Sequence, residues 1–304
     1  MCGPEADEMR VLICGMLMLA GLSRVGSCGG RKEAAPEPKA VAAAQDTVAA
    51  TRDIVGFDRN DYPGDDAMAG LKKQFAYTGY WLTPPPGETA NGWHGKRAVL
   101  RGQGYGFLVL ANGRLDKEIK ASKLSPAELG KQDAAKAVAA AKTEGFPAAT
   151  IIFLDQEEGG RLLEEQAGYL FGWTEAVATT GFRPGVYGSG QPLPDGPGAT
   201  ITTIQDIREH VAKNHLHTIA IWAYQDACAP KGPSPGCTVQ PPSRNASGTP
   251  DVTVWQYAQS PRRPDLTQSC TATYETDGNC YAPGVPGLML DMNVAGSTDP
   301  SAGR

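Results

Sequence analysis

A TIM-type (β/α)8 barrel, an α/β fold of eight strands, is the architecture this chain predicts, and three observations carry the prediction. Short apolar, β-branched runs recur along the chain, several closed by a polar residue or a glycine. Segments of helical periodicity lie between them. Finally, 37 Gly and 24 Pro in 304 residues are more than a helical bundle tolerates, yet they suit a fold rich in strand-to-helix turns.

Taken in order, the apolar runs fall at 54–57, 75–81, 105–110, 150–154, 184–187, 218–222, 252–255 and 287–290. The first ends in Asp58, the fourth in Asp155, the seventh in Gln256 and Tyr257, and the last in Asp291. A helix is expected after Ser125, where Ser-Pro-Ala-Glu forms a capping-box signature and Gly145 with Pro147 ends the pattern. A second has its apolar face on Leu163, Ala167, Leu170, Phe171, Thr174 and Val177, and a third runs from Thr203 to about Asn214. Strands apolar on both faces and alternating with helices argue for a parallel sheet with crossovers. Eight such strands favour closure, with sites at the C-terminal strand ends. Residues 231–250, dense in Pro, Gly and Ser, read as an inserted loop at the edge of a cleft.

The segment before the barrel reads as targeting rather than fold. Met9-Arg10, an apolar stretch from Val11 to Leu22 and then Val25-Gly26-Ser27-Cys28 follow the order of a bacterial export signal. Small residues just before a cysteine are similar to a lipobox, which makes Cys28 the expected lipidation site, residues 1–28 the signal peptide and 29–52 a disordered tether. A plain secretory signal is the alternative. The barrel domain is then 53–296 and the remainder, 297–304, a disordered tail.

Four cysteines stay in the exported part, Cys228, Cys237, Cys270 and Cys280, and an even number there suggests disulfides. Proximity pairs Cys228 with Cys237 and Cys270 with Cys280, although three connectivities are open. Spacings of nine and ten do not supply the close ligand pairs of a zinc site. His215 and His217, two apart, do not share a helical face, so no metal and no cofactor is expected. Gly188-Ser189-Gly190 lacks the full nucleophile elbow of a serine hydrolase. With 28 Lys and Arg against 33 Asp and Glu, and no basic run interleaved with aromatics, nucleic acid is excluded as a partner.

The chemistry concentrates at Asp155-Gln156-Glu157-Glu158-Gly159-Gly160. In extended chain Asp155 and Glu157 point the same way, and paired carboxylates are what glycosidic cleavage needs. One is held protonated for the leaving oxygen and the other ionised. Glu158 reads as a solvated acid in a first helical turn. Trp81, Tyr187, Tyr224 and Tyr257 lie at strand ends where they could stack on sugar rings. Gln256 and Asp226 complete the candidate substrate-binding set.

At these residues the chain resembles the family 25 glycoside hydrolases, cell-wall lysozymes with an α/β barrel. The resemblance rests on Gly56-Phe57-Asp58, on Phe153-Leu154-Asp155-Gln156-Glu157, on Trp255-Gln256-Tyr257 and on Leu290-Asp291-Met292-Asn293. It is more similar still to the glycoside-hydrolase-like group called domain of unknown function 1906, through Tyr80-Trp81-Leu82 and Gly185-Val186-Tyr187. The resemblance implies a muramidase-like catalytic set in which Glu157 is the proton donor and Asp155, Asp58 and Asp291 line the reacting subsite. The expected partners are peptidoglycan and, through the lipid, a membrane; the expected state is a monomer, and a non-catalytic glycan-binding or envelope-scaffold lipoprotein is the alternative to a hydrolase.

Overall fold

The computed structural model describes residues 53–227, 235–263 and 275–304. Cys28, the expected export segment and the expected tether therefore lie outside the described residues, as do Cys228 and Cys270. In chain order the strands are β1 (Ile54–Asp58), β2 (Tyr77–Trp81), β3 (Gly106–Asn112), β4 (Ile151–Asp155), β5 (Arg183–Ser189), the short β6 (Leu193–Pro194) and β7 (Thr200–Ile201), then β8 (Ala220–Tyr224), β9 (Val254–Ala258) and β10 (Asp291–Ala295). The helices are α1 (Asp65–Leu71), α2 (Arg97–Gly102), α3 (Asp116–Ala121), α4 (Pro126–Thr143), α5 (Glu164–Ala178) and α6 (Thr203–Asn214).

Eight strands close into a barrel in the order β1-β10-β9-β8-β5-β4-β3-β2, while β6 and β7 form a separate hairpin. The α/β barrel expected from the sequence is thus the fold. The strands are near-continuously apolar because their faces are covered on both sides, by the barrel interior and by the helices. Ser125 caps α4, its hydroxyl accepting from the Glu128 amide at 3.3 Å. Thr202 caps α6 in the same manner, at 2.9 Å.

The sheet is not uniformly parallel. β10 runs antiparallel to both of its neighbours, β1 and β9, while the other barrel strands pair in parallel. The physical reason is the connection. β9 ends at the mouth, and the chain enters β10 from that same face, so no crossover back down the barrel is needed. The apolar run at 287–290 is accordingly the approach to β10, and Asp291 opens that strand instead of ending one. Among the described residues of the β8–β9 connection the helical structure is one 3-10 turn, Arg244–Ser247.

Two further expectations are corrected. Residues 297–304 are no free tail. Their backbone and short side chains meet strand amides left unpaired where β3 and β4 begin: Asp299 accepts from the Phe107 amide at 2.8 Å, the Ser301 hydroxyl from Val109 at 2.9 Å and the Ser301 carbonyl from Ile151 at 2.8 Å. The buried Arg97 guanidinium then holds the Gly303 carbonyl at 2.7 Å. The second correction concerns the cysteines, because Cys237 is bonded to Cys280, which overturns both the Cys228–Cys237 and the Cys270–Cys280 pairing. Proximity in sequence misleads where two long loops meet at one edge of the barrel. Among the described residues no helix is long and apolar enough to cross a membrane.

Candidate active site

Strand register assembles the mouth. Asp58 and Asp291 are Cα partners across β1 and β10, and Asp155 is flanked by Asn112 on β3 and Tyr187 on β5. Gln256 on β9 lies between Tyr224 on β8 and Asn293 on β10. Because β10 is reversed, its first residue stands beside the last residues of its neighbours, so Asp291 reaches the mouth from the opposite chain direction.

Close approach is provided by glycines. A Cβ on Gly79 would fall 2.7 Å from the Asp58 Cβ, and one on Gly113 would fall 2.0 Å from the Asp155 carbonyl oxygen. Both positions need a bare backbone beside the acids.

Asp58 is buried and accepts from Asn293 Nδ2 at 2.5 Å and from Gln256 Nε2 at 3.0 Å. Those donors are themselves fixed, Asn293 by the Trp222 indole at 2.9 Å and Gln256 by the Tyr187 hydroxyl at 2.8 Å. Gln259 in turn donates to that hydroxyl at 2.9 Å. Burial pushes the Asp58 carboxyl up to about 6 against the pull of its two donors, with the Glu157 charge adding to the rise. Asp291 accepts from the Ser260 amide at 2.7 Å; burial, and then the Asp58 charge, hold it well above the ordinary carboxylate range.

Asp155 and Glu157 lie together at the end of β4. Asp155 is buried at 4 % exposure, its Oδ1 has no hydrogen-bond partner, and it shares a hydrogen bond with Glu157. Burial drives Asp155 well above its usual range, and the Glu157 charge drives it further. Glu157 stays open to solvent at the mouth. Its own carboxyl is raised by loss of water around it and restrained by the bond to Asp155 and by the Arg263 charge. The two carboxyls therefore titrate as an interacting pair, with Asp155 holding its proton more firmly than an ordinary carboxylate.

A groove of about 360 Å³ leads away from this pair. Its walls come from the loops after β2 and β3, including Thr83, Pro84, Asn112 and Arg114, and from Asp133 and Lys136 of α4. Its size is that of a small-ligand site. Among the described residues, no group of three or more His, Cys, Asp and Glu side chains is arranged to hold a metal ion.

Of the candidates named from sequence, Asp58, Asp155, Glu157, Asp291, Gln256, Tyr187 and Tyr224 converge here, the two tyrosine rings lying 5.2 Å apart. None of the four aromatic candidates offers an open stacking face, Tyr187 and Tyr224 being buried as Trp81 and Tyr257 are. Trp81 is 3 % exposed with its indole donating to the Arg59 carbonyl, and Tyr257 is fully buried with its hydroxyl on the Thr238 carbonyl. On β9 the inward positions alternate, and Gln256 takes the interior that its neighbour Tyr257 cannot share. Asp226 is sealed rather than rim-exposed, gripped by Arg263 and by Gln191 Nε2 at 2.8 Å. Glu158 is half-buried and bonded, not solvated.

Sequence reasoning missed Asn293, Gln259, Arg263 and the groove wall of Arg114 and Lys136. Asn293 was within reach, since a side chain two residues beyond Asp291 on a strand shares its face. The others come from loops and a helix that only folding brings to the mouth.

The sequence pattern of the Rv2525c-like, glycoside hydrolase-like domain matches residues 89–271. The chain belongs to that family. An uncharacterized B. stearothermophilus protein of known structure shares 19 % identity with it, over 80 % of this chain and 95 % of that one, at a TM-score of 0.50. The Tat-secreted protein Rv2525c of Mycobacterium tuberculosis shares 14 %, over 80 % and 94 %, at a TM-score of 0.46. The modular autolysin LytC of Streptococcus pneumoniae shares 10 %, over 80 % and 46 %, at 0.45. At 19 % identity the likeness to the B. stearothermophilus protein speaks to the fold alone. No curated protein matches the chain.

Proposed function

We propose that this member of the Rv2525c-like family is an exported glycoside hydrolase that binds and cleaves the glycan strands of peptidoglycan, akin to the family 25 lysozymes. The observation that carries the reading is the hydrogen-bonded Asp155–Glu157 pair, one carboxyl buried and one open, at the end of a groove. Glu157, the accessible member, delivers the shared proton to the glycosidic oxygen as the bond from the anomeric carbon breaks. The charge left on the sugar is balanced by carboxylate at Asp58 and Asp291, and water adds to the anomeric carbon, returning a proton to the pair. Tyr187 and Tyr224 lie beside the subsite. Export is supported by the signal-like amino terminus and by the Cys237–Cys280 disulfide, which an oxidising compartment preserves.

The test is the release of reducing ends from purified peptidoglycan. Glu157→Gln keeps the size of the side chain and removes its transferable proton, so turnover is expected to fall by at least about 100-fold while the protein still sediments with the glycan. Turnover equal to that of the parent would remove Glu157 from the acid role.

A further inference from the structure

Glu158 has no place in the proton transfer just described, yet it is the most firmly held carboxylate of the loop after β4. A single oxygen, its Oε2, accepts from the Asp116 amide at 2.8 Å and from Gln166 Nε2 at 2.6 Å. The first donor is the opening residue of α3 and the second lies in the first turn of α5. One carboxylate thus ties the loop to two helices. Gln166 is also bonded on its other side, its Oε1 accepting from the Leu163 amide at 2.8 Å, so the donor cannot swing away.

The rest of the loop is pinned around the same residues. The Gln156 amide donates to the Tyr187 carbonyl at 3.0 Å, and its side chain reaches the Glu158 carbonyl at 3.3 Å. Further along, Thr203 donates to the Gly160 carbonyl at 2.9 Å. Between these anchors Glu157 alone turns outward to the mouth.

We propose that Glu158 is the positioning residue of this site, its two-helix tie setting the loop so that Glu157 stands against Asp155. The inference rests on the glycosidase reading only for its consequence, since the geometry itself is independent of any substrate. The charges around the tie are Asp116, Lys120, which bonds Asp116 at 2.8 Å, and Glu165, 3.9 Å from Lys120. Those facing Glu157 are Asp155 of β4, Asp58 of β1, Asp291 of β10, Tyr187 of β5, Tyr224 of β8 and Arg263. None of these groups is altered by the variants below except Asp116.

The experiment is a carbon-13 carboxyl titration of the substrate-free protein, with thermal unfolding as a check on the fold. In Glu158→Ala, Glu157 is released from Asp155, and the Asp155 midpoint is expected to fall by about one pH unit, the scale of a lost like-charge neighbour. Glu158→Gln retains an oxygen able to accept both bonds and should titrate as the parent does. Asp116→Pro removes one of the two donors together with the Asp116–Lys120 ion pair, at the first helical position where proline is tolerated, and should shift Asp155 in the same direction by less. If the alanine variant does not fold, the proline variant decides the matter. An unchanged Asp155 midpoint in the folded alanine variant, or in the proline variant when it stands alone, overturns the proposal, and so does a glutamine variant that behaves like alanine. Because no substrate is present, these outcomes stand apart from whether peptidoglycan is cleaved; on peptidoglycan, kcat for Glu158→Ala should fall about 100-fold with rescue by Gln, the scale of a misplaced catalytic group.

Discussion

Asp58 shows how one buried carboxyl couples the stability of the fold to pH. Its folded carboxyl sits at about 6 against an ordinary 3.8 because burial outweighs two good donors. The folded protein therefore binds a proton that the unfolded chain releases between those values. Stability is full below the lower value and is lost as pH rises through the upper one, by about 3 kcal/mol on the two-unit gap. Asp58→Asn cannot ionise and keeps an oxygen for Asn293 and Gln256. It is expected to match the parent near pH 4 and to unfold at a higher temperature near pH 7, with glycan cleavage lost. Thermal unfolding across pH 4 to 8 checks this, and parallel curves for the two proteins would count against a buried, raised Asp58.

At the scale of elements, the reversed β10 decides where the second aspartate stands, and the long β9–β10 connection is what permits the reversal. That connection is tied to the β8–β9 loop by Cys237–Cys280, which encloses 43 residues of sequence separation. Closing a loop of that length removes unfolded-state entropy worth about 4 kcal/mol in the chain-entropy account. Non-reducing peptide mapping is expected to recover Cys237 joined to Cys280, and reduction is expected to lower the unfolding temperature. Recovery of Cys237 joined to Cys228 would refute the pairing. The register, too, acts at this scale: a one-residue slip of β9 would turn Gln256 out of the barrel and bring Tyr257 in.

For the whole molecule, the chain enters β1 at the face opposite the mouth. Asp53, just before β1, is fixed there by Arg244 Nε at 2.6 Å. If Cys28 is lipidated, blocking the lipobox signal peptidase with globomycin leaves an unprocessed precursor, and Cys28→Ser moves the protein from membrane to soluble fractions. A multiply acylated cysteine is needed for this, because a single chain holds only marginally. Parent and variant that are processed alike and remain soluble alike would replace the anchor with plain secretion.

The barrel, the ends of most of its strands and the acids at those ends follow from local pattern. Apolar runs must be buried, periods of two and 3.6 separate strand from helix, and a polar residue closing a run marks where the backbone leaves the core. Asp58, Asp155, Glu157 and Gln256 were legible for that reason, and so were the helices capped by Ser125 and Thr202. Strand direction, disulfide partners and the fate of aromatic faces were not, because each depends on contacts between segments far apart in the chain. Asp291 could be found as a residue but not as the start of a reversed strand, and Trp81 and Tyr257 look the same in sequence as Tyr187 until register assigns their sides. Glu158 is the sharpest case. Its type and position say only that it is acidic and follows Glu157, whereas its bonds to α3 and α5 exist because the barrel brings the starts of two helices to one loop, and long-range packing is information that no local pattern holds.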